Sequence, residues 1–143
     1  MGDAVMREIN RIIIHMAYTP PSMDIGVAAI RDWHLQRGWR DVGYHFVIRR
    51  SGIVEGGRPV EQEGAHTLGE NGDSIGICLI GGKNKSRDGA DVNFTSAQWR
   101  ALDRLCRDLL LQHPGAQISG HRDWLPTKCP GFDAVEWGRA LNA

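Results

Sequence analysis

The sequence has few cysteines, no excess of charge of either sign and no long apolar run. It contains three cysteines, Cys78, Cys106 and Cys129, in 143 residues, an odd number that argues against a disulfide framework and for a reducing compartment. Lys+Arg and Asp+Glu both total 17, so no net charge draws the chain to nucleic acid or to an anionic membrane. No apolar run approaches ~18 residues, and the N-terminus has no apolar signal core. We therefore expect a soluble protein that is made in the cytoplasm, with no nucleic-acid partner and no membrane insertion.

Residues 118–133 hold the densest set of chemically useful side chains. His121 and Cys129 lie eight positions apart on a loop stiffened by two prolines. Imidazole and thiolate are good zinc ligands, and His15 at the end of the run RIIIHM is a candidate third. If the three converge, the zinc site has one open position, as catalytic sites do. The alternative is that both histidines end strands and that Cys129 is a small buried hydrophobe, since the spacing is not that of a compact zinc finger.

The pattern of apolar residues predicts one domain in which strands and helices alternate. Residues 1–10 are predicted to be a loosely held tail, and residues 11–143 the folded domain. The predicted fold class is α/β or α+β, with a central mixed sheet flanked by helices. Strands are expected at 11–16, 44–48, 53–56, 74–80 and 116–120, and helices at about 24–37, 95–112 and 133–141.

Four further residues stand out within these elements. His34 lies on the inward face of the first helix, which favours a core or positioning histidine over a direct ligand. Tyr44 begins a predicted strand in which it shares a face with Phe46 and Ile48, whereas His45 points to the other face. His66 lies in the long polar loop 58–73, and such loops often shape binding sites.

Three segments together resemble a known family. They are DWHLQRGWRDVGYHFVI (32–48), GAHTLGENGDSIGICLIGG (64–82) and GHRDWLPTKCPGFD (120–133). In collinear order they resemble zinc-dependent N-acetylmuramoyl-L-alanine amidases, in particular small phage endolysins and peptidoglycan recognition proteins. The resemblance covers nearly the whole chain from residue 11 onward.

The resemblance implies a role for most of the candidate residues. It implies that Zn²⁺ is held by His15, His121 and Cys129, and that Tyr44 is catalytic. The histidines that match His45 and His66 lie near the substrate groove in relatives. We place His45 and His66, together with His34, in a candidate substrate-binding set.

One position departs from the phage pattern. Those relatives carry a catalytic lysine two residues before the ligand cysteine, where this chain has Thr127, and Lys128 is directly adjacent to Cys129. Peptidoglycan recognition amidases often have Thr or Ser at this place. We therefore predict that Thr127 lines the site as the second catalytic residue and that Lys128 contacts substrate. A shift of the loop could exchange these roles.

The predicted activity is hydrolysis of the amide between N-acetylmuramic acid and the L-alanine of the stem peptide by a zinc-activated water. The likeness suggests a monomeric phage endolysin that is made in the host cytoplasm and reaches peptidoglycan after another protein has permeabilised the membrane. Some such amidases also bind a phage RNA polymerase, for which the residues give no independent support. Two alternatives are a non-catalytic peptidoglycan-binding module and a thiol hydrolase with Cys129 as nucleophile and His121 as base.

Overall fold

A five-stranded mixed sheet forms the centre of the protein, in the strand order β3-β2-β4-β1-β5. The computed structural model describes residues 7–141. Strands β1, β2, β4 and β5 are mutually parallel and β3 is antiparallel at one edge, so the predicted mixed sheet is confirmed. In chain order the elements are β1 (Arg11–Met16), α1 (Val27–Gln36), β2 (Phe46–Ile48), β3 (Val54–Gly56), β4 (Ser74–Leu79), α2 (Ser96–Gln112), β5 (Gln117–Gly120), a 3₁₀ turn (His121–Asp123) and α3 (Ala134–Leu141).

The two central strands are buried on both faces, as expected for parallel strands covered by helices. Every residue of β4 is buried, and so is β1 after Arg11. One face of the sheet packs against α2 and α3 through Ile12, Ile14 and Leu102, among others. The opposite face packs against α1 through a smaller cluster that includes Ile30. His15 alternates with Ile14 along β1 and so lies on the face that α1 covers.

Helix α2 begins at the predicted capping box. The Thr95 side chain accepts a hydrogen bond from the Gln98 backbone N–H at 3.1 Å, and the Gln98 side chain accepts one from the Thr95 N–H at 2.9 Å. Gln98 is fully buried and also donates to the backbone carbonyls of Ile48 and Ile80. The cap therefore links the start of α2 to the sheet.

Helix α1 begins later than the sequence indicates. The predicted start was Asp24, but the helix starts at Val27, whose N–H donates to the Glu55 carboxylate at 2.8 Å. This cap comes from β3, nearly thirty residues away in the chain, so no local pattern could place it.

The predicted strand over residues 44–48 is wrong in its first two residues. The chain bends at His45, and β2 begins only at Phe46. Because of this bend, Tyr44 packs with the cluster beneath α1, whereas Phe46 and Ile48 belong to the cluster on the other side of the sheet. The predicted shared face of Tyr44, Phe46 and Ile48 is therefore corrected.

The described part of the predicted loose tail is held against the domain. Ile9 is buried in the main core. The Arg7 guanidinium donates to the carbonyls of Val60, Asn71 and Ser74 at 2.9–3.1 Å. Residues 7–10 thus differ from the expectation, while the rest of the predicted tail lies outside the described residues. Between residues 7 and 141, no helix has the length and apolar character needed to cross a membrane.

Candidate active site

Two imidazoles and one thiol meet at the carboxyl end of the parallel strands. One candidate ligand atom each from His15, His121 and Cys129 lies within 4.8 Å of the other two. In the register of β1 and β5, Ile14 pairs with Gly120, so His15 and His121 are each the next residue along neighbouring strands. Cys129 comes from the loop before α3. The sheet topology thus brings together residues more than one hundred positions apart.

Hydrogen bonds hold two of these side chains in place. The Nε2 atom of His15 lies 2.9 Å from Nδ1 of His66 and 3.2 Å from the hydroxyl of Thr67. Its Nδ1 is therefore the nitrogen left for a metal, because a histidine ligand binds through one ring nitrogen while the other is held by the protein. The Cys129 Sγ accepts the Met16 N–H at 3.1 Å. This arrangement fits a metal ion with nitrogen and sulfur ligands.

The protonation states of the two histidines suit metal binding. Burial lowers the pKa of His15 well below its ordinary value, and the nearby His66 and His121 lower it further. Burial also lowers the pKa of His121. Both rings are therefore neutral near pH 7, the form that binds metals. Burial raises the pKa of the Cys129 thiol to about 12, and a thiol bound to a metal gives up its proton.

Tyr44 lies beside this cluster. Its ring centroid is 5.1 Å from that of His15 and 5.6 Å from that of His34. Burial raises the pKa of Tyr44 well above its ordinary value, with the neighbouring Cys78 and Cys129 acting in the same direction. The phenol therefore keeps its proton at neutral pH and can serve as a hydrogen-bond donor.

His66 lies behind His15, in a space that exists because residue 76 is a glycine. A Cβ atom on Gly76 would lie 2.5 Å from the His66 ring, so only glycine leaves room there. The His66 ring also contacts the hydroxyls of Thr67 and Ser74 at 2.9 and 3.2 Å. Burial lowers the pKa of His66 to about 3. His66 therefore orients a candidate ligand.

Three residues of this region were missed by sequence reasoning. Asn71 Oδ1 accepts the backbone N–H groups of His66 and Thr67, and so shapes the loop that carries both. Thr67 and Ser74 then fix the histidine rings. A signal was present in Gly76, because a glycine inside an apolar strand often marks the close approach of another group.

His34 and His45 lie in the walls behind the site, with one ring nitrogen of His34 and both ring nitrogens of His45 in hydrogen bonds. The Nδ1 atom of His34 accepts the Gly43 N–H at 2.9 Å, which agrees with the predicted inward position. In His45, Nδ1 accepts the Gly76 N–H and Nε2 lies 2.7 Å from the Gln62 carbonyl, so Nε2 carries the hydrogen. Burial lowers the pKa of each to about 4. Contact with substrate stays a prediction for both.

Thr127 and Lys128 border an opening next to the cluster. With Met16, Tyr18 and Cys129 they line a cavity of about 300 Å³. Both are exposed. The Thr127 hydroxyl accepts the Cys129 N–H at 3.3 Å, so Thr127 also shapes the loop that carries the thiol. Their catalytic and substrate-binding roles stay predictions.

Comparison with known proteins places the whole arrangement in one family. Residues 5–132 match the N-acetylmuramoyl-L-alanine amidase family. The endolysin of Klebsiella phage KP32 is 44% identical over 131 residues, which cover 92% of this chain and 86% of the relative. The amidase LysC from Clostridium intestinale superposes with a TM-score of 0.82 at 31% identity, covering 96% of this chain and 87% of LysC. A complex of peptidoglycan recognition proteins LCa and LCx bound to tracheal cytotoxin gives a TM-score of 0.76 at 27% identity, covering 96% and 84%. The chain belongs to the N-acetylmuramoyl-L-alanine amidase family.

Proposed function

We propose that this protein is an endolysin that hydrolyses the amide between the lactyl group of N-acetylmuramic acid and the L-alanine of the stem peptide in peptidoglycan. The observation that carries the proposal is the convergence of His15, His121 and Cys129 within 4.8 Å, with Tyr44 beside them. An unactivated amide needs both an activated water and a donor for the developing oxyanion, and this cluster offers residues for both tasks.

Zinc is the metal that suits these three ligands. Neutral imidazole and thiolate are both zinc ligands, and a zinc ion with three protein ligands keeps a fourth position for water or substrate. When bound, zinc supplies a nucleophile near neutral pH by lowering the pKa of water to about 7, and it polarises the scissile carbonyl.

The residues of the chain hold and complement that centre. His66 and Thr67 fix the ring of His15, and the Met16 N–H binds the sulfur of Cys129. The protonated Tyr44 hydroxyl donates a hydrogen bond to the oxyanion that forms on the scissile carbonyl. Thr127 lines the opening through which the stem peptide enters.

The decisive experiment combines metal analysis with mass spectrometry of digested peptidoglycan. We expect stoichiometric zinc in the purified protein, and products with a free N-terminal alanine on the peptide and a free lactyl carboxylate on the glycan. Cleavage of a sugar–sugar bond or of a peptide bond would overturn the proposal. Binding to peptidoglycan without any product would favour the alternative of a binding module.

Chelation separates the zinc mechanism from the thiol hydrolase. We expect activity to disappear with the metal and to return when zinc is added. Turnover that persists in metal-free protein would instead favour Cys129 as a nucleophile.

The endolysin role carries further predictions about location and partners. The protein would be made in the host cytoplasm and would reach peptidoglycan through a membrane lesion made by another protein. The monomeric state and a contact with phage RNA polymerase also remain predictions.

A further inference from the structure

A groove runs along the edge strand β5 on the same side of the sheet as His15. Its cavity has a volume of about 580 Å³, and its walls include Arg11, Gln117, Ser119 and Trp124. Arg11 pairs with Gln117 in the parallel register of β1 and β5, and Ile13 with Ser119. Since residues two apart share a face of a strand, Arg11, Gln117 and Ser119 lie on the face of His15. None of these side chains was assigned a role above.

Trp124 is an exposed aromatic side chain that is nevertheless held in place. Its indole N–H donates to the Ser119 hydroxyl at 2.9 Å. The Arg11 guanidinium lies over the ring, 4.5 Å from its centroid. The residue remains 40% exposed. Because the polar atom of the ring is already bonded, the exposed side-chain surface is aromatic carbon.

Arg11 is fixed in turn by two carboxylates. Its guanidinium forms ion pairs with Glu70 and Asp73. Asp73 also accepts a hydrogen bond from the Asn10 side chain at 3.2 Å. The groove therefore combines a rigid aromatic surface with carboxylate, amide and hydroxyl groups along one wall. The lining contains one guanidinium, that of Arg11, and two carboxylates, those of Asp73 and Asp123, so the groove does not favour an anionic ligand.

The groove is connected to the catalytic cluster by short, rigid links. The Trp124 backbone N–H donates to the carbonyl of His121 at 3.1 Å, directly after the 3₁₀ turn that His121 begins. Along β1, Arg11 precedes His15 by four residues, which corresponds to roughly 13 Å of extended chain. A ligand in the groove could therefore belong to the same molecule as a bond placed at the cluster.

We propose that this groove is a saccharide subsite that binds the glycan strand next to the N-acetylmuramic acid whose peptide is removed. A pyranose ring presents apolar C–H faces to an aromatic side chain, while its hydroxyl and acetamido groups exchange hydrogen bonds with amides, carboxylates and hydroxyls. An aromatic groove with such groups, and with more carboxylates than guanidinium groups, suits an uncharged sugar better than it suits the charged stem peptide. This inference rests on the proposed amidase function, because that function places a glycan beside the scissile bond.

The first test compares two substrates with the variant Trp124→Ala. On polymeric peptidoglycan we expect kcat/KM to fall roughly tenfold, which corresponds to about 1.4 kcal/mol of lost transition-state stabilisation. On a single muramoyl peptide without further sugars we expect no change. Trp33→Ala is the matched control, because Trp33 on α1 is exposed to a similar extent, 37%. The control should leave both rates unchanged. Equal losses on the two substrates, or no loss on either, would overturn the subsite.

The second test measures binding without cleavage. Oligomers of N-acetylglucosamine carry no peptide, so they probe the groove whether or not the amide is cut. We expect saturable shifts of one indole N–H resonance in ¹H–¹⁵N spectra, identified by its absence in Trp124→Phe. Trp124→Phe keeps an aromatic ring if Trp124→Ala fails to fold. Shifts confined to other tryptophans, or no shifts, would overturn the subsite. Cleavage of a different bond with intact oligomer binding would instead overturn the amidase proposal.

Discussion

A buried histidine can bind a metal only if one of its ring nitrogens is not already engaged in a hydrogen bond with the protein. His15 and His45 are both almost fully buried and neutral, yet only His15 keeps a ring nitrogen outside the hydrogen bonds of the protein. The difference lies in the neighbours: His66 and Thr67 contact one side of the His15 ring, whereas Gly76 and Gln62 engage both nitrogens of His45. Burial alone would not distinguish them.

This comparison predicts different effects of two histidine substitutions. His66→Gln should weaken zinc affinity by about 10–100-fold, the usual cost of losing a group that orients a ligand. His45→Gln should leave zinc affinity unchanged and lower the melting temperature, since its bonds serve the loop walls. Zinc titration with a competing chelator and thermal melts measure both quantities. Equal affinities in the two variants would show that His66 has no part in orienting His15.

Tyr44 can be tested by removing one atom. Tyr44→Phe should keep its zinc content and melting temperature but lose two to three powers of ten in kcat, the typical cost of one oxyanion donor. The ring that packs against His15 and His34 remains, so the metal site should stay intact. Metal analysis and a turnover assay on peptidoglycan provide the comparison. A Phe variant with full turnover would exclude the hydroxyl from the mechanism.

At this scale the sequence predicted the residues with distinctive chemistry and missed those that position them. His15, His121 and Cys129 could be proposed because imidazole and thiolate are good zinc ligands and because the family resemblance implies the same three residues. Thr67 and Ser74 could not, because hydroxyls are common in loops and their contacts depend on how the segment 58–73 folds against β4. Which hydroxyl holds a histidine ring in place is decided by the tertiary structure, not by the local sequence.

Elements were predictable where their signals are local. The capping box of α2 depends only on Thr95 and Gln98, three positions apart, and it forms as expected. The start of α1 depends on Glu55, which arrives from another strand. The break before β2 depends on a bend at His45 that no alternation of apolar residues reveals. Local chemistry therefore places α2 well and the strand that follows α1 poorly.

The start of α2 gives a test of how much the sheet contributes to a helix cap. Thr95→Ala should cost about 1 kcal/mol of unfolding free energy, as loss of an N-cap usually does. Gln98→Ala should cost more, because it removes several hydrogen bonds of the Gln98 side chain, including one from the Thr95 N–H and one to each of the carbonyls of Ile48 and Ile80. Each carbonyl keeps a second donor, so the expected loss is about 0.5–1.5 kcal/mol for each hydrogen bond. Urea unfolding measures both. A Gln98→Ala variant no less stable than Thr95→Ala would show that the link to the sheet carries no net stability.

The topology of the whole molecule explains why the site forms where it does. Parallel strands β1 and β5 lie side by side, so their carboxyl ends meet at one edge, which is where sheets of this kind place ligands. The third ligand follows on the loop that leads to α3. A metal bound to all three would therefore tie two strands and the final segment together, across 114 residues from His15 to Cys129.

That connection predicts that zinc removal lowers the stability of the entire fold. A ligand that binds only the folded state, at a free concentration one hundred times its Kd, adds about 2.7 kcal/mol to the free energy of unfolding. Chelation should therefore lower the melting temperature by several degrees, and added zinc should restore it.

Cys129→Ser should bind little zinc and show no zinc-dependent shift in melting temperature. Cys106→Ala is the matched cysteine control: Cys106 lies on the buried face of α2 and packs in the main core, so this variant should melt at a lower temperature yet keep the full response to zinc. If the wild type melts identically with and without zinc while retaining the metal, the ion does not join these three segments.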